Sequence, residues 1–177
     1  MNLGLFVLRA VVGLLFAGHG AQKLFGWFGG DGPEGTAAMF DRIGLRPGHR
    51  HARLAGLAEF GGGLALAFGL LTPFAAAALI GVMTAAIISV HGANGLWNTD
   101  KGFEFNLVMI TAAFMVTAAG PGSPSLDNAF GIGMSGAGWA LLALAAGLAG
   151  GASAVASGRA YREEREERHP GAPPHPA

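Results

Sequence analysis

Six polar side chains interrupt apolar stretches that are otherwise long enough to cross a membrane. Ionisable groups at membrane depth are costly, and they usually face the interior of a helix bundle and each other. Imidazoles, an amine and carboxylates held together can transfer protons, and they can stabilise negative charge that develops on a bound carbonyl oxygen. The six residues are His19, Lys23, Glu59, His91, Glu104 and Asn106.

The direction of the predicted helices brings these residues to one depth. His19 and Lys23 lie near the end of the first apolar stretch, and Glu59 lies about two turns into the second. His91 ends the third stretch and Glu104 starts the fourth. Because consecutive spans alternate in direction, all these positions fall near one membrane surface. The sequence therefore predicts a proton-transfer site in which His19, Lys23, Glu59, His91 and Glu104 are the catalytic residues.

Four residues, three of them new and the fourth Asn106, are expected to bind a substrate beside that site. Phe16 and Gly20 share a helical stripe with Lys23 at about 100° per residue. Gly62 belongs to a glycine run that permits close approach of the backbone to a ligand. Asn106 adds an amide at the same depth.

The same residues allow other interpretations. A purely structural network would pair Glu59 with Lys23 inside the bundle and leave Glu104 at the membrane interface. A haem held by His19 and His91 is chemically reasonable, as is a divalent ion held by those histidines and the two glutamates. The spacing matches no metal motif, however, and no metal site is predicted.

Polar residues outside this layer are interpreted as structural or solvated. Arg9 lies nearer the opposite surface, and Asp127, in a loop on that side, is its expected ion-pair partner. His49 and His51 flank Arg50 and are expected to be solvated loop residues. None of these residues is expected to take part in chemistry.

Composition is that of a membrane protein. Hydrophobic residues make up 51% of the 177 residues and charged residues 12%, about half the usual charged share. The 31 glycines fit membrane helices, whose backbones they allow to approach closely. The net charge of zero gives no reason to expect a nucleic-acid partner, and the absence of cysteine excludes thiol catalysis. The first apolar stretch lacks a basic start and a cleavage site, so it is expected to remain in the mature protein.

Hydropathy predicts an all-α fold, a polytopic transmembrane helical bundle with a four-helix core and a fifth C-terminal transmembrane helix. A short interfacial helix is expected between the first two spans, where Ala37, Phe40 and Ile43 fall at helical spacing. The core is assigned to residues 1–130, with spans at 3–24, 52–71, 73–90 and 103–119, followed by the fifth helix at 131–157 and a charged, partly disordered tail at 158–177.

Two local patterns define how these helices turn and pack. Gly69, Thr72 and Pro73 predict a tight turn in which Thr72 is the N-cap of the next helix. Gly147 and Gly151 form a small-xxx-small pair, which predicts close packing of the fifth helix on a neighbour.

The distribution of cations predicts the orientation. With five spans, one side of the membrane holds nine lysines and arginines outside the spans, and the other side holds none. The positive-inside rule makes the basic side cytoplasmic, with the N-terminus outside and the C-terminus inside. The nine residues are Arg42, Arg46, Arg50, Arg53, Lys101, Arg159, Arg162, Arg165 and Arg168.

The order and spacing of the polar residues over positions 3 to 130 resemble the DoxX family. The fifth helix and the charged tail go beyond the four-helix family pattern. The resemblance is carried by Arg9, by His19-Gly20-x-x-Lys23, by Glu59-x-Gly61-Gly62-x-Leu64, by Gly69-x-x-Thr72-Pro73, by His91, by Glu104-x-Asn106 and by Ser125-Leu126-Asp127.

The resemblance implies a protein of the bacterial inner membrane that is tied to redox processes. DoxX-like and DoxD-like proteins are associated with quinone-linked thiosulfate oxidation and with membrane complexes for oxidative-stress defence. We therefore expect a subunit of a quinone-dependent oxidoreductase in the lipid bilayer, with quinone as substrate, no bound cofactor, and a soluble or membrane redox partner. A scaffold or assembly factor for a redox complex and a small proton-coupled transporter are the alternatives.

Overall fold

The computed structural model describes residues 2–168, and within that range the chain is helical, with no β-strand. Three short 3-10 turns lie at Trp27–Gly29, Gly92–Asn94 and Asn98–Asp100, and a π-helical turn lies at Ile87–His91. The α-helices are α1 (Asn2–Phe25), α2 (Gly32–Arg42), α3 (Gly48–Phe68), α4 (Thr72–Ala86), α5 (Glu104–Ala119), α6 (Leu126–Ala129) and α7 (Ala137–Arg168).

Three helical segments are long and apolar enough to cross a membrane: Leu3–Phe25, Thr72–Asn94 and Ala137–Arg165. Helix α5 is apolar but has 16 residues, which rise roughly 24 Å against a hydrocarbon core of about 30 Å. Helix α3 has 21 residues, but its first turns are polar. The fold is therefore an all-α membrane bundle, and the crossing of the membrane by all five long helices stays a prediction.

Helices α1 and α3 form an antiparallel pair held together by glycine. A Cβ atom on Gly13 would lie 2.5 Å from the Gly63 carbonyl oxygen, and one on Gly63 would lie 2.5 Å from the Ala17 amide nitrogen. Gly20 lies directly against the backbone of Phe60. Any side chain at these positions would force the two helices apart, because the contact is between backbones.

Helices α4 and α7 run parallel, since Gly147 contacts Ile80 and Gly151 contacts Gly81 and Thr84. A Cβ atom on Gly147 would lie 2.6 Å from the Ile80 side chain. The predicted close packing of the small-xxx-small pair is therefore confirmed. Because α4 and α7 point the same way, one crossing in the opposite direction must lie between them if both span the membrane, and α5 is the long helix at that place in the chain.

The turn between α3 and α4 differs from the prediction in its cap. Helix α3 ends at Gly69 in the left-handed conformation, with φ of 61°, and Leu71 is the N-cap of α4, with φ of 46°. Thr72 is the first helical residue, so its prediction as the N-cap was wrong. The carboxylate of Asp127 performs the capping instead: it accepts hydrogen bonds from the backbone N–H groups of Leu71 at 2.7 Å and of Thr72 at 3.0 Å.

The remaining helices fit their sequence patterns at different boundaries. Helix α2 occupies the predicted interfacial segment, and its Ala37 and Phe40 are buried against Ala52 of α3 and Val155 of α7. Helix α7 begins at Ala137, six residues after the predicted start at position 131, because Gly136 adopts a φ of 101° that an α-helix does not allow. It continues as a helix into the predicted charged tail as far as Arg168. Positions 169–177 of that tail lie outside the described residues.

Candidate functional site

A cavity of about 620 Å³ lies between the helices at the end of the bundle where α1 ends and α3 begins. That volume is within the usual range of small-molecule sites. Helices α1, α3, α4, α5 and α7 all contribute to its walls, together with α2 and the π-helical turn. Most of the lining is apolar. The polar lining residues are His19, Lys23, His51, Glu59, Ser89, His91 and Asn106.

An ion pair between α1 and α3 lies in the cavity wall. The Lys23 Nζ is 2.6 Å from Glu59 Oε2, and the side chains are 20% and 4% exposed. Gly56, nearly one turn before Glu59, permits the approach, because a Cβ atom there would lie 2.7 Å from the side chain of Leu24. The nearby cation stabilises the charged form of a carboxylate buried to this degree, because an isolated charge in an apolar interior is strongly unfavourable.

The two predicted histidines, His19 and His91, lie at the cavity. One ring nitrogen of each is within hydrogen-bond distance of another group. His91 Nδ1 is 2.8 Å from the carbonyl oxygen of Lys101, so Nδ1 carries the proton and donates it. In the neutral ring, Nε2 is then an acceptor. His19 is exposed, and its Nδ1 is 3.1 Å from Gln22 Oε1. Both imidazoles thus keep a second nitrogen for a ligand or a proton.

The structure brings most of the predicted site residues to this cavity, but not all of them. Phe16 and Asn106 are buried in the lining, and Asn106 Nδ2 donates to Met83 Sδ at 3.4 Å. Glu104 is outside the lining, since its Oε2 accepts the backbone N–H of Asn98 at 3.0 Å. The predicted substrate-binding glycines also lie elsewhere: Gly20 packs on Phe60, and Gly62 faces Ala78 and Leu79.

His51 is a cavity residue that the sequence interpretation missed. It was expected to be a solvated loop residue, but helix α3 starts at Gly48 and buries it to 6% exposure. Its Nε2 is 3.2 Å from the carbonyl oxygen of Arg46. Burial lowers the pKa of His51, which lies just before the predicted span, more than that hydrogen bond raises it. The spacing of His51, Ala55 and Ala58 on one helical face was the signal available in the sequence.

Ser89 is a second missed residue. It belongs to the π-helical turn Ile87–His91, a distortion that often occurs at functional sites. Its Oγ is buried and has no hydrogen-bond partner within the described part of the chain. A buried hydroxyl facing a cavity without a partner is a group to which a ligand can bind.

Arg9 and Asp127 lie together in a corner away from the cavity, and each is 1% exposed. Their described hydrogen bonds go to other groups. Arg9 donates to the carbonyl oxygens of Ala67 (3.2 Å) and Pro121. Asp127 also accepts from the Thr72 hydroxyl at 2.7 Å. The opposite charges of Arg9 and Asp127 attract each other at a distance. Among the described contacts, however, the two side chains form no direct ion pair.

These features define an all-helical integral membrane protein with a cavity that is polar at one end. Residues 4–92 match the family model DoxX, and the chain belongs to the DoxX family. Helices α5, α6 and α7 lie beyond the matched segment.

Two relatives support this assignment. The Uncharacterized membrane protein Rv3486 of Mycobacterium tuberculosis is 32% identical over 131 residues, covering 68% of this chain and 77% of the relative. The Inner membrane protein YqjF of Escherichia coli is 31% identical over 129 residues, covering 72% of this chain and 92% of the relative. No solved structure matches the chain.

Proposed function

We propose that this protein is a membrane subunit that binds a quinone in the cavity and supports its reduction. The observation that carries the proposal is the Lys23–Glu59 ion pair in the wall of a mainly apolar cavity. A quinone matches such a site, because it combines carbonyl acceptors with a hydrocarbon body. The orphaned Ser89 hydroxyl adds a donor in the same cavity.

Each polar residue has a defined part in this proposal. A bound quinone accepts two electrons and two protons. Lys23 donates a hydrogen bond to a quinone carbonyl and stabilises negative charge developing there, and His19 can do the same from the cavity mouth. Glu59 holds Lys23 in position, and His91, through Nε2, passes protons to the site. The electrons come from a reduced substrate or a partner subunit.

The site residues differ from the sequence prediction in one important respect. Glu104 is omitted as a proton donor, because its carboxylate is bound to the backbone of Asn98 outside the cavity. Asn106 and Phe16 remain substrate-binding residues, as donor and apolar wall respectively. Both side chains are buried, so the surrounding protein fixes their positions.

The proposal includes an orientation in the bacterial inner membrane. Arg42, Arg46, Arg50 and Arg53 lie at the same end of the bundle as the polar part of the cavity, at the end of α2 and the start of α3. The positive-inside rule assigns that end to the cytoplasm. The relative YqjF is named an inner membrane protein. The quinone headgroup would therefore lie near the cytoplasmic leaflet.

Quinone binding to the purified protein in detergent tests the proposal. We expect saturable binding by the wild type and affinities about tenfold lower in both Glu59→Gln and His19→Ala. The first variant no longer holds the Lys23 ammonium group in position, and the second loses a hydrogen-bond donor to the headgroup. Glu104→Gln is the matched control and should bind like the wild type. Absence of saturable binding by the wild type would refute the proposal.

A scaffold role is a second candidate, favoured by the length of α7. Its 32 residues rise roughly 48 Å, so the last turns extend beyond a hydrocarbon core of about 30 Å. The extension carries alternating cations and anions, including the Glu164–Arg168 pair at 3.9 Å. Removing the residues after Ser157 would release a partner bound by a scaffold, whereas the quinone site should keep its affinity.

A further inference from the structure

The cavity has an apolar part that the proposed headgroup site does not use. Helices α2 and α7 contribute only apolar side chains or glycine to the lining over the described residues. On α7 the lining positions include Ala146, Gly150 and Ala154, which share one helical face at a spacing of four residues. This face of α7 and the Lys23–Glu59 pair line the same cavity.

Helices α3 and α7 both line the cavity, but little helix packing closes the side between them. Helix α7 packs mainly on α4 and α5, whereas α3 packs mainly on α1, α2 and α4, so α3 and α7 flank the cavity without forming a main helix pair. Leu54 of α3 lines the cavity and is exposed, as are Ala146 and Gly150 of α7. These exposed lining residues belong to the two helices on either side of the gap.

Gly150 differs from the packing glycines of the same helix. Gly147 and Gly151 contact α4 so closely that a Cβ atom would overlap Ile80 or Gly81. At Gly150 no described atom lies within 4 Å of the position of a Cβ atom, although the residue lines the cavity. Helix packing therefore does not require glycine there, and its effect is to keep the space beside α7 open.

We propose that the gap between α3 and α7 is a portal for the hydrocarbon tail of the quinone, and that Gly150 keeps it open. The inference rests on the proposed function, since the polar end of the same cavity fixes the headgroup. A long tail has to leave a cavity of about 620 Å³, and the exposed lining residues of α3 and α7 provide a side by which it can leave. The tail then runs along α7 while Lys23 and Ser89 hold the headgroup.

Binding of two quinones that share a headgroup tests the portal, one with a long isoprenoid tail and one with a methyl group in its place. Gly150→Leu fills the space beside α7, and Gly138→Leu is the matched control, since Gly138 is on the same helix with an equally open Cβ position and is outside the cavity lining. We expect Gly150→Leu to weaken long-tail binding about tenfold, equivalent to losing contacts of about two methylene groups. Its affinity for the short quinone should be unchanged.

The outcomes separate this inference from the headgroup site. Wild-type binding of both quinones with no selective loss in Gly150→Leu would overturn the portal and leave the headgroup site intact. Equal weakening of both quinones would also overturn it, because the substitution would then act on the headgroup or on folding. Displacement of the long-tail quinone by added phospholipid, with the short quinone retained, would assign the portal to acyl chains instead. Failure of the wild type to bind either quinone would refute both proposals.

Discussion

Lys23 Nζ lies 2.6 Å from Glu59 Oε2, and this ion pair joins α1 to α3 inside the wall of a mainly apolar cavity. The pair has two consequences that can be separated by experiment. It neutralises a buried carboxylate, which concerns stability. It also places an ammonium group where the carbonyl of a ligand can accept a hydrogen bond, which concerns binding.

Removing Lys23 alone should destabilise the protein. Lys23→Met leaves the Glu59 carboxylate buried without its cation, at a cost of about 3 kcal/mol in the free energy of unfolding. The double variant Lys23→Met/Glu59→Leu should recover most of that loss, because no charge is left buried. Reversible unfolding in mixed micelles measures both. Equal stability of the single variant and the wild type would show that the pair does not matter for folding.

The glycine contact between α1 and α3 should tolerate no side chain at Gly63. Gly63→Ala would place a methyl group 2.5 Å from the Ala17 nitrogen, and overpacking of this kind costs about 1–3 kcal/mol. Gly61→Ala is the matched control on the same helix, where a Cβ atom meets no described atom within 4 Å. The control should be neutral or more stable by up to about 1 kcal/mol, because alanine favours helix. The unfolding temperatures of the two variants provide the comparison. Similar unfolding temperatures for Gly63→Ala and Gly61→Ala would contradict the close contact between α1 and α3.

Asp127 should contribute to stability through the start of α4. Asp127→Asn keeps the shape of the side chain but replaces one acceptor oxygen with an amide NH2 group and removes the negative charge. The carboxylate that accepts hydrogen bonds from the backbone N–H groups of Leu71 and Thr72 is therefore lost. We expect a loss of about 1–3 kcal/mol in the free energy of unfolding. Quinone affinity of the folded fraction should not change. Asp100→Asn, at an exposed position, serves as the control. A similar loss of unfolding free energy in this control would contradict the capping role of Asp127.

His51 should make stability depend on pH. Burial lowers its pKa in the folded protein below the ordinary value of 6.5, with a smaller lowering by Arg50 and opposing effects of the Arg46 carbonyl and Asp41. The unfolded chain then binds a proton that the folded protein does not, so this contribution is complete above pH 6.5 and is lost as the pH falls below it.

The slope of unfolding temperature against pH between about 5.5 and 7.5 measures this effect. We expect a shallower slope in His51→Asn than in the wild type. His49→Asn, two residues earlier at an exposed position, is the control and should keep the wild-type slope. Identical slopes in all three proteins would mean that His51 titrates normally.

The apolar architecture could be predicted from the sequence because long hydrophobic runs and their breaks are local signals. Gly69 and Pro73 marked the turn before α4, and Gly147 and Gly151 marked the packing of α7. The identity of the cap could not be predicted, because Asp127 reaches Leu71 from a position 56 residues later. That contact exists only in the folded bundle.

The polar cavity was predictable only in part. His19, Lys23, Glu59 and His91 line it, as their depth indicated. Glu104 does not, because the backbone around Leu96 folds back to accept its N–H at 2.8 Å and turns the carboxylate toward Asn98. His51 was missed because α3 starts four residues before the predicted span, where hydropathy alone shows only a basic loop.

Photolabelling with an azido-quinone most directly tests whether the cavity is a quinone site. The account predicts that labelled peptides, identified by mass spectrometry, contain the lining segments around Phe16 to Lys23 or around Asn106, and that excess unlabelled quinone prevents the labelling. Labelling confined to lipid-facing residues outside the cavity, or labelling that unlabelled quinone does not reduce, would contradict it.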